Sequence, residues 1–363
     1  MKIPEIMKIP EIMTAAVLYA PYDLRIEQIP VPTPGPEEVL IKVHACAICG
    51  TDPKVIGTGW PHPLRYGEFT PGHEYAGEIV AVGPNAGSWK VGDRVAVEAH
   101  KGCGKCVNCM RGRYTICLNY GKPETGHRHY GFSTNGGYAQ YVVNHINTLY
   151  KVPDNLPYWG AALVTTAGCA MFAIENVGGF MAGESVAVLG PGPMGLMTVQ
   201  IVKALGASRI FLTGTRQERL AIGKRYGADL TIDVIKEDPV AVIKRETNGL
   251  GVDLTVEVTG DPIAAAQTIE MTARGGRISF IGDPVKPALM NIKKFVLDDM
   301  RAAGVRGEGR ANCARALELF RTGDLSAEGI VTHRFPLVDI HKALDIYINR
   351  KEGAIKVVLE PQA

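Results

Sequence analysis

Apolar and polar positions change rhythm partway along the chain. From Met13 to about Tyr150, short β-branched runs are punctuated by glycine and proline. Ala15-Ala-Val-Leu-Tyr19, Val39-Leu-Ile-Lys-Val-His-Ala45, Tyr75-Ala-Gly-Glu-Ile-Val-Ala-Val-Gly83 and Asp93-Arg-Val-Ala-Val-Glu98 read as strands, and Pro30-Val-Pro-Thr-Pro-Gly-Pro36 as extended chain and turn. Many short strands in this setting predict a compact, barrel-like β domain. From about Ala167 the texture becomes alternating strand and helix. Val186–Leu189, a helix to Leu205, Ile210–Thr213, a helix through Arg225 and Leu230–Ile232 come first. Val252–Val258, a helix over Ile263–Thr272 and Arg277–Ile281 follow. Alternation of this kind predicts a doubly wound parallel sheet. The tail predicts helices over Cys313–Arg321 and Ile340–Ile348 and a closing strand at Ile355-Lys-Val-Val-Leu359. The expected division is a β-rich domain at 1–166, a doubly wound domain at 167–306, and a return of 307–363 to the first.

The first residues stand apart. Met1-Lys-Ile-Pro-Glu-Ile is repeated at once as Met7-Lys-Ile-Pro-Glu-Ile, with Met13 next, so residues 1–12 read as an extension outside the fold.

One stretch organises the second domain. The run Val186-Ala-Val-Leu stops at Gly190, and Gly190, Gly192 and Gly195 follow at G-x-G-x-x-G spacing before an apolar helix-length segment. Strand, tight turn and helix form the context a dinucleotide fingerprint requires. Gly190 permits the turn, Gly192 lets a pyrophosphate approach the backbone, and Gly195 lets the helix pack on the strand. The helix start, with Pro193 and Met194, presents unpaired N–H groups to phosphate.

Charge and composition narrow the choices. Lys and Arg number 39 against 37 Asp and Glu, with no basic block to suggest nucleic acid. No apolar run reaches membrane-spanning length and no secretory leader is visible, so a soluble, cytoplasmic protein is expected. Of eight cysteines, four crowd together as Cys103-x2-Cys106-x2-Cys109-x7-Cys117. Four thiolates in one loop close a tetrahedron around structural zinc, with no open position. An iron–sulfur cluster is the rival, although its bacterial form has a three-residue last gap and a following proline. A second, dispersed set is Cys49-Gly-Thr51-Asp52 with Gly72-His73-Glu74. Thiolate, imidazole and carboxylate are the ligands of a catalytic zinc that keeps one position open. Taken singly, Cys49 reads as a buried small hydrophobe and His73 as a turn residue.

Gly72-His73-Glu74-Tyr-Ala-Gly77-Glu-Ile-Val-Ala-Val-Gly83 resembles the zinc signature G-H-E-x-x-G-x-V of medium-chain zinc-dependent alcohol and polyol dehydrogenases (the sorbitol, threonine and glucose dehydrogenase-like group). The Cys49 corner, the four-cysteine lobe, Thr134-Asn-Gly136-Gly137-Tyr-Ala-Gln-Tyr141 and the Gly190–Gly195 turn are similar to that family's motifs, in the same order. The resemblance covers Met13 to the end. It implies an α/β fold: a GroES-like β-rich catalytic domain and a Rossmann doubly wound cofactor domain. It also implies zinc at catalytic and structural sites, NADP or NAD, and hydride transfer to or from a secondary alcohol. By the same resemblance Cys49 and His73 ligate catalytic zinc, and Glu74 is a third ligand or a nearby carboxylate exchanging with water. Thr51 passes on the alcohol proton, Asp52 orients His73, and Cys103, Cys106, Cys109 and Cys117 hold structural zinc. The alternatives are a zinc-free NADPH-dependent quinone or enoyl reductase, or a non-enzymatic nucleotide-binding relative.

The sequence departs from the family pattern in three places. Thr165 and Thr166 stand where a further ligand is usual, with Cys169 beyond, which predicts a site with three protein ligands. Lys54 stands where many members have a relay histidine. Gly214-Thr215-Arg216 ends the second strand without the ribose-binding acid, and Thr215 and Arg216 suit a 2′-phosphate, favouring NADP. Trp60, His62, Arg65 and Tyr66 are pocket candidates for a hydroxylated substrate such as a polyol or sugar. His127-Arg-His129 either lines the cleft or binds nothing. Cys46, Cys169 and Cys313 read as core thiols. A homodimer or homotetramer is expected, paired through Ile278–Ile281 or the segment after it.

Overall fold

In the computed structural model the described residues are 9–57, 65–284, 286–309 and 311–363. Trp60 and His62, and most of the duplicated hexapeptide, lie outside them. The chain forms two compact units, one running through Thr165 and resuming at Val331–Ala363, the other Thr166–Ile330.

The first unit is built on a seven-stranded sheet among the described residues. Its order is Val331–Pro336, Lys356–Glu360, Glu38–Ala47, Glu74–Val82, Arg94–Val97, Leu149–Lys151, with Tyr141–His145 also paired to Glu38–Ala47. The hairpin Ile12–Ala20/Asp23–Pro30 joins through Ala16 N–H to Tyr138 O (2.8 Å) and Leu18 N–H to Phe69 O (2.9 Å). Val39, Ile41, Val43, Tyr75, Ile79, Val95 and Val357 are among the side chains of one continuous core. The short apolar runs thus have a physical cause: these side chains face the same interior.

The second unit carries six parallel strands in the order Leu230–Asp233, Arg209–Gly214, Ser185–Leu189, Val252–Glu257, Thr272–Phe280, Arg301–Gly304. In chain order this is 3-2-1-4-5-6, the dinucleotide-binding arrangement, with its switch point beside Ser185–Leu189. Val186, Ala187, Val188 and Leu189 are buried, as strands covered by helices on both faces must be.

Three expectations are corrected. The return to the first unit comes at Val331, not near residue 307. The helix Asn312–Thr322 stays in the second unit because its apolar face (Cys313, Ala316, Leu317, Phe320) is buried there and Asn312 Nδ2 donates to Glu175 Oε2 at 2.8 Å. The extension is shorter than twelve residues: the first strand starts at Ile12, and Ile9 packs against the cluster holding Met13, Ala15 and Val17. The strand containing Ile278 is not a sheet edge, because Arg301–Gly304 pairs outside it, with Phe280 opposite Gly304. That leaves Arg301–Gly304, in the segment after it, as the edge on that side of the sheet, with Leu230–Asp233 at the other. Among the described residues no helix is long and apolar enough to cross a membrane.

Candidate active site

The strand Glu38–Ala47 runs to its end in the first unit's core and delivers Cys49 into a short helix, Asp52–Gly57. The strand Glu74–Val82, its antiparallel neighbour, begins at the same end, with Ala47 opposite Glu74. Two motifs 24 residues apart in sequence therefore meet because their strands are paired. Ligand atoms of Cys49, His73 and Glu74 all lie within 4.8 Å of one another, with His73 and Glu74 buried. His73 Nε2 and Glu74 Oε1 are 3.9 Å apart.

The approach of His73 is fixed by close backbone packing. Gly72 has φ +91°, and Gly137 N–H donates to its carbonyl at 2.7 Å. A Cβ on Gly136 would fall 2.0 Å from Gly72 O, so nothing larger fits there. The Gly136-Gly137 pair thereby presses the Gly72-His73 turn into place.

Asp52 organises the corner. It is fully buried, and its Oδ1 lies 3.2 Å from His73 Nδ1. Its Oδ2 accepts from Cys49 N–H and from Tyr138 Oη–H, both at 2.7 Å. Burial acts to raise the Asp52 carboxyl, but His73, the Cys49 N–H and the Tyr138 hydroxyl outweigh it and hold it below the usual range. A carboxylate at Nδ1 leaves Nε2 with its lone pair toward the ligand cluster. Thr51 Oγ1 is buried with no hydrogen-bond partner among the described residues. A buried hydroxyl without a partner is costly unless a bound molecule supplies one.

Sequence reasoning missed Lys356. It is 2% exposed, yet its Nζ sits 2.5 Å from Glu74 Oε2. Burial works against its charge, but Glu74, Cys49 and Tyr347 around it raise its pKa above the ordinary lysine range. The signal available was one lysine inside the apolar run Ile355-Lys-Val-Val-Leu359. Tyr138 was visible in the Gly136-Gly137 motif, but its bond to Asp52 was not.

Of the other candidates, Thr165 donates its hydroxyl to Val97 O at 3.1 Å. No fourth Cys, His, Asp or Glu joins Cys49, His73 and Glu74 among the described residues, and Cys169 is in neither metal-capable group. Lys54 lies on the Asp52–Gly57 helix. Tyr66 is exposed, and Arg65 faces Glu68 with the two side chains in solvent. His127 and His129 are buried: Gly121 N–H donates to His127 Nδ1 at 3.3 Å, Tyr120 Oη bonds His129 Nδ1, and His129 stacks between His100 and Phe132. Both are packed among these rings rather than forming an exposed wall. Phe132 in turn lies against the His73 ring at 4.5 Å.

The four lobe cysteines converge as a second group. Cys103 Sγ and Cys109 Sγ are 4.0 Å apart, and Cys106 Sγ and Cys117 Sγ 3.8 Å. Four sulfurs at zinc–sulfur distance are separated by about 3.8 Å on a tetrahedron, so the donor set fits zinc. All four thiols are free. Cys103 Sγ accepts from Cys106 N–H (3.4 Å) and Asn119 Nδ2 (3.2 Å), which suits thiolate charge.

In the second unit the glycine turn is tight in the expected places. Gly190 has φ +112°, and a Cβ on Gly195 would fall 1.9 Å from Gly190 O. Gly192 has open space around it and precedes the helix Pro193–Ala204, in which Met194 occupies the first turn. Gly214 packs against this turn, since a Cβ there would meet Pro191 Cδ at 2.5 Å. Thr215 is exposed and Arg216 half-buried at the start of Gln217–Arg225. The carboxylate on the next strand, Asp233, is engaged by Gln217 Nε2 at 2.6 Å and Lys236 Nζ at 3.3 Å.

A unit that is β-rich with a Cys/His/Glu cluster and a four-thiol lobe, and a second unit with a dinucleotide-type sheet, define a metal- and nucleotide-using oxidoreductase. Residues 35–154 match the alcohol dehydrogenase GroES-like domain and residues 193–322 the zinc-binding dehydrogenase domain. The chain is 34% identical over 341 residues to L-threonine 3-dehydrogenase of Bacillus velezensis, covering 93% of this chain and 95% of that protein. It is 33% identical over 361 residues to sorbitol dehydrogenase of Bacillus subtilis, covering 97% and 98%. A Sinorhizobium meliloti 1021 structure solved bound to NADP superposes with TM-score 0.87 at 26% identity, covering 97% of this chain and all of that one, 100%. The chain belongs to the zinc-dependent medium-chain alcohol dehydrogenase family. It is a zinc-binding, NAD(P)-dependent dehydrogenase acting on CH–OH groups.

Proposed function

We propose that the chain interconverts a secondary alcohol bearing further polar groups, a polyol or sugar, and its ketone, with NADP as the preferred cofactor. The observation that carries this reading is the meeting of Cys49, His73 and Glu74 donors, with no further protein ligand among the described residues, beside the unpartnered Thr51 hydroxyl. Cys49 and His73 would hold catalytic zinc, with Glu74 as third ligand or as a carboxylate that yields to water. Zinc bound there would supply Lewis-acid polarisation of the substrate oxygen.

The remaining roles belong to the chain. Asp52 keeps the proton on His73 Nδ1 and so fixes the ring's tautomer. Thr51 Oγ1 orients the alcohol and takes its proton, which leaves by water or a cofactor ribose hydroxyl, since Lys54 replaces the usual relay histidine. A nicotinamide held in the second unit would supply the acceptor for the carbinol hydride, one hydrogen and two electrons. Gly190, Gly192 and Gly195 cradle the pyrophosphate at the helix start with Pro193 and Met194. Gly214 admits the ribose end, and Thr215 and Arg216 bind the 2′-phosphate, Arg216 through a planar charge-assisted pair. Cys103, Cys106, Cys109 and Cys117 hold structural zinc. The substrate class is supported by relatives named for threonine and sorbitol, molecules whose secondary carbinols sit among other polar groups. The edge strand Arg301–Gly304 would pair subunits into a dimer or tetramer, and the protein would work in the cytoplasm.

The reading is tested with secondary alcohols and polyols deuterated at the carbinol carbon. Deuterium should appear at C4 of the reduced cofactor. A chain that leaves every alcohol untouched while reducing quinones or enoyl groups would overturn it.

A further inference from the structure

A buried ammonium needs a reason, and Lys356 has no exposed route to water. The strand Lys356–Glu360 pairs antiparallel with the end of Glu38–Ala47, Val358 opposite Ala47 and Leu359 opposite Cys46. Ile48 N–H donates to Val357 O at 2.8 Å. Lys356 is therefore carried on backbone bonded to the residues just ahead of Cys49. Its Nζ takes Glu74 Oε2 at 2.5 Å, while Glu74 Oε1 faces His73 Nε2 at 3.9 Å. One carboxylate thus points one oxygen at an ammonium and the other at the ligand cluster.

We propose that Lys356 is a positioning residue: by gripping Glu74 Oε2 it leaves Glu74 only Oε1 to offer the cation and so keeps the fourth coordination position open for water or substrate. The proposal rests on the reading of Cys49, His73 and Glu74 as a zinc site. Formal charge supports it. Cys49 thiolate, Asp52 and Glu74 bring three negative charges, and Lys356 with a divalent cation brings three positive. The buried site is neutral with Lys356 and carries one excess negative charge without it. Lys356 and Glu74 side chains are 2% and 3% exposed, so water screens this imbalance poorly. Without the ammonium, Glu74 Oε2 has lost its counterion and takes the cation in its place, joining Oε1 there and filling the open position. Tyr347, whose hydroxyl lies 3.9 Å from where a Gly50 Cβ would stand, borders the same corner and adds no formal charge.

The test uses the zinc-loaded full chain, with chelator-driven zinc release and the visible spectrum of the cobalt-substituted catalytic site as readouts. Lys356→Met should slow release of the catalytic zinc at least about tenfold, opposite in sign to the roughly ten- to hundredfold loss of affinity usual when an outer partner of a metal ligand is removed. Its cobalt bands should shift toward higher coordination number and kcat should fall. In the Glu74→Gln background the Lys356→Met effect should vanish. Lys356→Arg, which keeps a cation against Glu74 Oε2, should keep the parent's release rate and cobalt spectrum, and this variant decides the matter if Lys356→Met does not fold. Unchanged or faster release in Lys356→Met, an effect that persists without Glu74, or a large spectral change in Lys356→Arg overturns the proposal. A parent chain holding one zinc, in the cysteine lobe only, overturns the site reading and the proposal with it.

Discussion

Two alanine substitutions in the glycine turn, three residues apart, should fail in opposite ways. Gly192 has φ −80° and ψ −179°, a conformation alanine adopts freely, and no atom lies within 4 Å of its would-be Cβ. Gly192→Ala should therefore fold normally and gain roughly 0.4–1 kcal/mol by restricting the unfolded chain. The added methyl enters space where a pyrophosphate must approach, so NADPH affinity should drop about ten- to a hundredfold, roughly 1.4–2.8 kcal/mol. Gly195 is the reverse case. Its Cβ would stand 1.9 Å from Gly190 O, so the helix must shift off the strand end. Overpacking of this severity costs about 2–3 kcal/mol, offset by up to about 1 kcal/mol of helix propensity. The net loss of roughly 1–2 kcal/mol should lower the melting temperature of the second unit by about 2–8 °C. Thermal unfolding without cofactor, followed by NADPH titration of each folded variant, separates the two effects. Parent-like NADPH binding by Gly192→Ala, or parent-like melting of Gly195→Ala, would refute the assignment of these glycines.

Asp52→Asn can keep its oxygen on Cys49 N–H and Tyr138 O–H but then turns its N–H₂ toward His73 Nδ1, where the donor must be the imidazole for Nε2 to ligate; stability should fall by about 1–3 kcal/mol and zinc affinity about tenfold or more, read by thermal melting and chelator competition. Parent-like zinc retention would argue against its role in orienting His73. Arg216→Ser should lower the NADP-over-NAD ratio of kcat/KM at least about tenfold, and an unchanged ratio would show Arg216 to be a solvated loop charge. For the lobe, burial pushes the Cys109 thiol up to about 12 and raises Cys117, whereas at Cys103 the N–H groups of Lys105 and Cys106 and the Asn119 amide overcome burial and lower it to about 6. At pH 7 metal-free Cys109 and Cys117 carry protons, so zinc uptake by the lobe should release at least about two protons, and affinity should fall as pH drops, more steeply below about 6 as Cys103 is protonated too. Calorimetry in buffers of different ionisation heat measures this, and uptake without proton release would contradict it.

Much of the fold was legible because period and punctuation agree with the buried faces. The helix Ile340–Ile348 and the strand–turn–helix around Gly190 follow directly from apolar spacing. The dispersed site residues were legible as chemical types, and strand pairing explains their meeting. The division of the tail was not legible. Asn312–Thr322 has an apolar face that could pack on either unit, and its place in the second rests on long-range packing and on Asn312 reaching Glu175, which no local pattern announces. The Lys356–Glu74 pair was hidden for the same reason: its partners are far apart in sequence, and nothing local announces a salt bridge formed by sheet register.

The most direct test of the account is zinc per chain, followed through stepwise chelation while NADP-linked oxidation of a polyol is assayed. Two zincs, with activity lost as the first leaves and the lobe zinc retained, is the result expected for a catalytic site at Cys49, His73 and Glu74. One zinc per chain with full activity would contradict it and leave the cysteine lobe as the sole metal site.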